Sequence, residues 1–190
     1  MTSSPALSRR LRDIEIHCKD GLVMASSQVL ALNSIVFEKM LFSVIPMEES
    51  KTNIVHLDDV LMADMDLLLK FYEFRVESVA DYFGQLETGS VMSLISIAHR
   101  YEFTGALGVL CDRLTKVIPV PTSAELQFAD TLLLESVLKS WSRNCSSLSF
   151  YQSFVEGLAD FPLSKPTLLI FSAANRDYTE RMMCPTRCMH

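Results

Sequence analysis

The stretch VMASSQVLALNSIVFEKML, Val23 to Leu41, decides the fold class, because it turns from strand to helix twice over at named residues. Leu22-Val23-Met24 is apolar and β-prone, and reads as a strand. Ser26 and Ser27 follow as N-cap candidates, since a serine oxygen can accept a backbone N–H that the first helical turn leaves unpaired. They open a helix through Leu32, and Ser34 caps a second one, Ile35 to Phe42. Upstream, Asp13-Ile14-Glu15-Ile16-His17-Cys18 alternates apolar and polar residues, the period of a half-buried strand. Lys19-Asp20-Gly21 joins the two strands as a turn, with Asp-Gly expected to take the positive φ of a tight hairpin.

Working outward, Ile54-Val55-His56-Leu57 is a short third strand ended by Asp58-Asp59. Met62, Met65, Leu68, Leu69 and Tyr72 then recur at helical spacing. In 75–89, apolar residues at helical spacing are interrupted by Gly84 and Gly89, which leaves that segment undecided. Helices follow at Val91–Tyr101 and Ala106–Leu114. Ile118-Pro119-Val120-Pro121 breaks the pattern, because proline lacks the donor a helix uses, and marks a subdomain boundary. Thr122-Ser123-Ala124-Glu125 is a capping box. Short helices are expected at 122–130, 134–143, 149–158 and 165–175, with a tail of no clear period from Arg176. The N-terminal residues 1–12 read as a loose arm. Strands and helices together in the first part, and helices alone in the second, predict an α+β domain followed by an all-helical extension.

Composition excludes several functions. The chain has 190 residues, 49% of them hydrophobic and 21% charged, enough to build a packed core. Its net charge of −6, with no basic run longer than Arg9-Arg10, argues against nucleic acid, which requires a basic face. No apolar run approaches the roughly 20 residues that span a bilayer, and no secretory-type apolar core opens the chain. The cysteines are five, Cys18, Cys111, Cys145, Cys184 and Cys188, an odd and scattered set that points to free thiols in the cytoplasm or nucleus.

No GxSxG, GxGxxG, P-loop or HExxH motif occurs, so no catalytic or cofactor-binding residue is assigned, and the chain is not expected to be an enzyme. His17, His56 and His99 read as partly exposed structural histidines. Cys111 and Cys145 fall on apolar helix faces, where cysteine acts as a small hydrophobe. Cys184, Cys188 and His190 offer three soft ligands in the tail, but a fourth is missing, and no metal site is assigned.

The order of these elements resembles the BTB/POZ family. Asp13-Ile14-Glu15-Ile16 resembles its first core strand. Val29-Leu30 and Ser34-x-x-Phe37-x-x-Met40 match its strand–helix–helix signature. Met47 to Val60 is similar to the segment entering the third strand of MATH–BTB (speckle-type) ligase adaptors. Phe71-Tyr72 and Ile97 to Phe103 fit further family positions. Pro121 to Asp130 resembles the first helix of a BACK-like extension. The resemblance implies an arm at 1–12, a BTB/POZ domain at 13–117, a BACK-like helical extension at 118–175 and a tail at 176–190. Ser26-Ser27 stands where the family often has His-Lys, and Tyr72-Glu73-Phe74 replaces its usual Tyr-Thr-Gly. No MATH, Kelch-repeat or zinc-finger module is expected in the chain.

The resemblance also bears on IPMEESK, Ile45 to Lys51, where a hydrophobe sits beside two acids. Family members that recruit the third cullin carry a hydrophobe-x-Glu motif here. It implies that Met47, with Glu48 and Glu49, docks on the cullin, and that Phe103 lines the same face from the helix end, with a place in the core as its alternative. The alternative is a helix cap and a solvated loop, with Met47 folded back on its own domain. The family's dimer surface implies roles for Leu7 and Leu11 in the arm and for Val29. Two functions therefore remain open: an adaptor bridging a cullin-RING ubiquitin ligase to a substrate or receptor, and a scaffold that pairs with itself or another BTB protein without a ligase.

Overall fold

The computed structural model describes residues 12–43, 47–73, 84–144 and 163–183. Leu7, Leu11, Cys145, the helix expected at 149–158 and the Cys184–His190 motif lie outside the described residues. The chain divides into two units, Met1–Leu110 and Cys111–His190.

In the first unit, β1 (Ile14–Cys18) and β2 (Gly21–Ala25) form an antiparallel hairpin, and β3 (Ile54–Leu57) pairs with β1 in parallel, giving the order β2-β1-β3. Strand alternation sorts the side chains. Ile14, Ile16, Val23, Ala25, Val55 and Leu57 point to the core and are all buried. Glu15, His17, Leu22, Met24, Ile54 and His56 share the other face. Between β2 and β3 come α1 (Ser27–Asn33), α2 (Ile35–Phe42) and the short α3 (Glu48–Thr52). Helix α4 (Met62–Glu73) packs on β1 and β2, and α5 (Thr88–Arg100) packs on α4. Of the undecided 75–89 segment, residues 84–87 form a turn into α5, and Gly89 lies within that helix rather than interrupting it.

The hairpin corrects one expectation. Cys18 pairs with Gly21, so Lys19 and Asp20 make the turn. Among the described residues no glycine has positive φ. Gly21 instead lies close to Met62: a Cβ there would lie 2.6 Å from Met62 Sδ, so the end of that flexible side chain would have to shift. Asp20 also has a local task, since its carboxylate accepts the N–H of Met62 at 2.6 Å and satisfies the first turn of α4.

Two polar clips fix the helices of the decisive stretch. Asp13 accepts the Ser27 N–H at 2.8 Å and the Ser27 hydroxyl at 2.7 Å, tying the start of the sheet to the start of α1. Ser34 is 2% exposed. Its oxygen accepts the Phe37 N–H at 3.1 Å as the N-cap of α2, while its hydroxyl donates to the carbonyl of Tyr101. Phe37 thereby meets Tyr101 and Phe103 at centroid distances of 5.5 and 5.6 Å, and Tyr72 lies 5.7 Å from Phe103. The turn after α5 is held by Glu102 in the left-handed region (φ 54°), with the Phe103 N–H bonded to the Ala98 carbonyl at 2.8 Å.

Helix α6 (Thr104–Val117) contains the point where the units divide. The second unit contains α7 (Ser123–Thr131), α8 (Glu135–Asn144) and α9 (Lys165–Met183), with α8 packed on both others. The capping box forms as read: the Glu125 carboxylate accepts the Thr122 N–H at 2.6 Å. The fully buried Trp141 donates its indole N–H to the Ile118 carbonyl at 2.6 Å, which satisfies backbone in the proline-broken segment. Asp130 accepts the Ser164 N–H at 2.9 Å and the hydroxyls of Ser164 and Thr167 at 2.5 Å each, joining α7 to the start of α9. The tail expected from Arg176 is helical through Met183. No glycine or proline interrupts 167–184, so the helix continues where the apolar period has faded.

Two outcomes follow for stability. Ser34→Ala deprives two buried backbone groups of their partner, with an expected loss of about 1–3 kcal/mol in urea unfolding. Asp13 is subject to burial, which pushes its carboxyl up, but the Ser27 backbone and hydroxyl bonds outweigh this and hold it below the usual value. A carboxyl depressed in the folded state contributes stability above its unfolded pKa of about 3.9, and that contribution is lost as pH falls through the folded value. Asp13→Asn is therefore less stable than the parent at neutral pH. The gap narrows on acidification below about pH 4, read from melting temperatures across pH.

Candidate functional site

Helix α3 is the local device that presents Met47. Met47 occupies its N-cap position in extended conformation, φ −79° and ψ 168°, and is 45% exposed. Glu48 and Glu49 form the first turn, where negative charge faces the positive end of the helix dipole. Glu48 is exposed and Glu49 half-buried. The far end is closed by Asn53 in the left-handed region (φ 57°), whose N–H bonds the Glu49 carbonyl at 2.9 Å. Thr52 donates its hydroxyl to the Glu48 carbonyl at 3.0 Å, and the Asn53 carbonyl accepts the Glu15 N–H from β1 at 3.0 Å. The segment is a small helix fastened to the sheet at one end, with an accessible thioether at the other. The sequence offered a helix cap and a solvated loop here; Met47 is the cap residue, and the helix itself had no range because five residues carry too little periodicity to register.

The structure brings Met47, Glu48 and Glu49 together but gives Phe103 another place. Phe103 has no exposed surface and packs against Phe37 and Tyr72. It offers no area to a partner, so any influence on docking passes through packing. Val29 lies on α1, half-buried. Sequence reasoning did not single out its neighbours Leu32 (84% exposed), Ile35 (47%) and Phe42 (57%). The signal was present: α1 and α2 carry apolar residues all round, while Leu30, Phe37 and Leu41 already supply the buried side. Gln28, Ala31, Leu32, Glu38 and Phe42 line an open groove of about 350 Å³.

A second cleft, about 320 Å³, is lined by Lys19, Asp59, Asp64, Ser93, Ser96 and Arg100, among others. Three of its charged side chains are engaged internally: Arg100 pairs with Asp59, and Ser93 donates to Asp64 at 2.6 Å. In the second unit, burial first and Asp112 second push the Cys111 thiol up to about 11, so it is protonated at neutral pH and a poor nucleophile. Burial, then Asp20, likewise raises Cys18. No described helix is long and apolar enough to cross a membrane.

A small three-stranded mixed sheet flanked by helices, followed by further helices, places the chain in the α+β class. The BTB/POZ domain family matches residues 4–116, more than half of the chain, and the chain belongs to that family. No sequence among curated proteins matches it. BTB domains are protein–protein interaction modules and typically not enzymes.

The placement of Phe103 yields a control. Phe103→Ala empties the centre of an aromatic cluster, and a loss of about 3–5 kcal/mol is expected in chemical unfolding. A substitution of the half-exposed Met47 would cost a small fraction of that.

Proposed function

We propose that this chain is an adaptor that docks on the third cullin of a cullin-RING ubiquitin ligase and holds a substrate or substrate receptor beside it. The observation that carries the reading is the placement of Met47: an accessible, flexible hydrophobe at the head of a fastened helix, followed by two acids, directly before β3. A methionine adapts to an apolar pocket, and the helix behind it lowers the ordering cost of binding. The likeness of Met47–Val60 to the speckle-type MATH–BTB adaptors supports the same reading. So does a helical part after Ile118, taken here as a BACK-like extension over 118–175 that widens the cullin contact. The domain bounds in this reading are 13–117 for the BTB unit, with 1–12 as arm. Cytoplasm and nucleus both suit such a partner.

A second reading rests on a different observation. Leu32, Ile35 and Phe42 expose apolar area on α1 and α2 beside Val29, the kind of surface that pairs with another BTB domain. In that reading Leu7, Leu11 and Val29 contribute to a homodimer or heterodimer, and no ligase is recruited.

Titration calorimetry of the intact chain against the cullin's N-terminal domain separates the two. Met47→Ala is expected to weaken binding by about 2 kcal/mol or more, roughly 30-fold. Its cost to stability should stay under about 0.5 kcal/mol, because the side chain is half exposed. Glu49→Ala falls between mutant and parent. An unchanged affinity for Met47→Ala, or no binding by the parent, leaves the scaffold reading. That reading in turn requires a dimer in light scattering that Val29→Asp dissociates.

A further inference from the structure

The sheet has an open edge that neither docking surface uses. In the order β2-β1-β3, β2 pairs with β1 alone, and among the described residues no strand lies on its outer side. The register fixes which residues face that side. Glu15 donates its N–H to the Asn53 carbonyl, toward β3. Alternation along β1 then turns the backbone of Ile14, Ile16 and Cys18 toward β2. Their partners Ala25, Val23 and Gly21 point back at β1, which leaves Leu22 and Met24 facing away. Among the described residues no hydrogen bond reaches the outward N–H or C=O of either. Leu22 is 44% exposed and Met24 half-buried, so this side is open to solvent. Edge strands are commonly blunted by a charge, a proline or a bulge. Gly21-Leu22-Val23-Met24-Ala25 has no ionisable residue and no proline, and its register is unbroken. The other edge, β3, is shorter: the Thr52 hydroxyl takes the Ile54 N–H at 3.3 Å, and Asp58-Asp59 follows the strand.

We propose that the β2 edge receives an extended segment of a partner protein as a fourth strand, antiparallel to β2. Leu22 and Met24 each offer one N–H and one C=O, at the two-residue spacing of an antiparallel ladder. Main-chain bonds supply the pairing, and alternate side chains supply the choice of segment. Residues of the segment opposite Leu22 and Met24 project onto the outer sheet face beside those two side chains. β-Branched or aromatic residues there gain cross-strand contact. Both edge residues are held by the hairpin, so the ordering cost falls on the incoming segment alone. A second copy is the poorer occupant, since a chain of net charge −6 repels its like, whereas a segment that is neutral or basic meets no such barrier. Met47 precedes β3, at the other side of the sheet, so this inference does not rest on the cullin reading.

The test is amide NMR with hydrogen exchange on the full chain. The probe is an end-blocked peptide of alternating threonine and valine with a lysine at each end. In the free chain the Leu22 and Met24 amides should exchange fast and those of Val23 and Ala25 slowly. Peptide should shift the Leu22 and Met24 signals saturably and slow their exchange. Methylating the peptide nitrogens on one alternate set should weaken binding about tenfold or more, and methylating the other set should leave it unchanged, because only one set faces β2. Met24→Pro, which removes an outward N–H at an edge position that tolerates proline, should weaken binding to a similar degree. Leu22→Lys repeats that test should the proline variant fail to fold by circular dichroism. Met47→Ala should leave peptide binding unchanged. Absence of saturable binding overturns the proposal, as does binding indifferent to which nitrogens are methylated. Slow exchange of Leu22 and Met24 in the free chain at every protein concentration would mean that the edge is already covered. Protection that appears only as the protein is concentrated would assign the edge to a second copy, and either result overturns the proposal.

Discussion

One hydroxyl group holds the first unit together. Ser34 bonds backbone on both sides, capping α2 and donating to Tyr101, a residue 67 positions away in sequence. Because Ser34 is buried, neither bond has water as a substitute, and the geometry of the α2 start is tied to the α5 end. The aromatic cluster of Phe37, Tyr72, Tyr101 and Phe103 adjoins that tie, since Phe37 and Tyr101 belong to the clipped backbone and Phe103 follows it. Asp13 and Ser27 repeat the device at the sheet. In both cases a short polar side chain at a helix start supplies the specificity that apolar packing alone lacks.

The same logic explains why Met47 stands where it does. A five-residue helix is far too short to hold itself in water. It persists because Asn53 adopts the left-handed conformation at one end and passes its carbonyl to β1. At the other end Glu48 and Glu49 complement the helix dipole. The acids beside the exposed methionine thus have a local cause as well as a proposed role with a partner. An anchor on a fastened segment loses less entropy on binding than one on a free loop.

How much of this could be read from the chain depends on the residue. The β1–β2 hairpin, the serine caps, the third strand and the capping box at Thr122 were legible because each is a short-range pattern with one physical cause. The parallel pairing of β3 with β1 was not, because pairing partners are set by tertiary packing and not by period. Gly21 misled for a related reason: Asp-Gly is a turn signal, yet here the glycine is a strand residue without positive φ that lies against the end of the Met62 side chain, 41 residues on. Phe103 was legible as a family position with core as its alternative, and packing decides for the core, while the exposure of Leu32 and Phe42 emerged only once Leu30, Phe37 and Leu41 had claimed the core. The helix beyond Arg176 was missed because propensity without amphipathic period leaves little mark.

Charge narrows the chemistry of a partner at the proposed docking site. The chain carries a net −6, and the exposed apolar side chains of the first unit have acids close by in sequence: Glu48 and Glu49 after Met47, and Glu38 between Ile35 and Phe42. Two copies of such a surface repel at long range before apolar contact begins, whereas a partner with an apolar pocket and a basic rim is drawn in. The acids lie at the edge of the apolar side chains, where solvent screens them, so they bear on encounter rate and partner choice more than on final affinity. Affinity itself must come from the desolvated thioether and any apolar area buried with it. A self-paired surface would therefore have to rely on Leu32, Ile35 and Phe42 and to place Glu38, which lines the same groove, where solvent screens it.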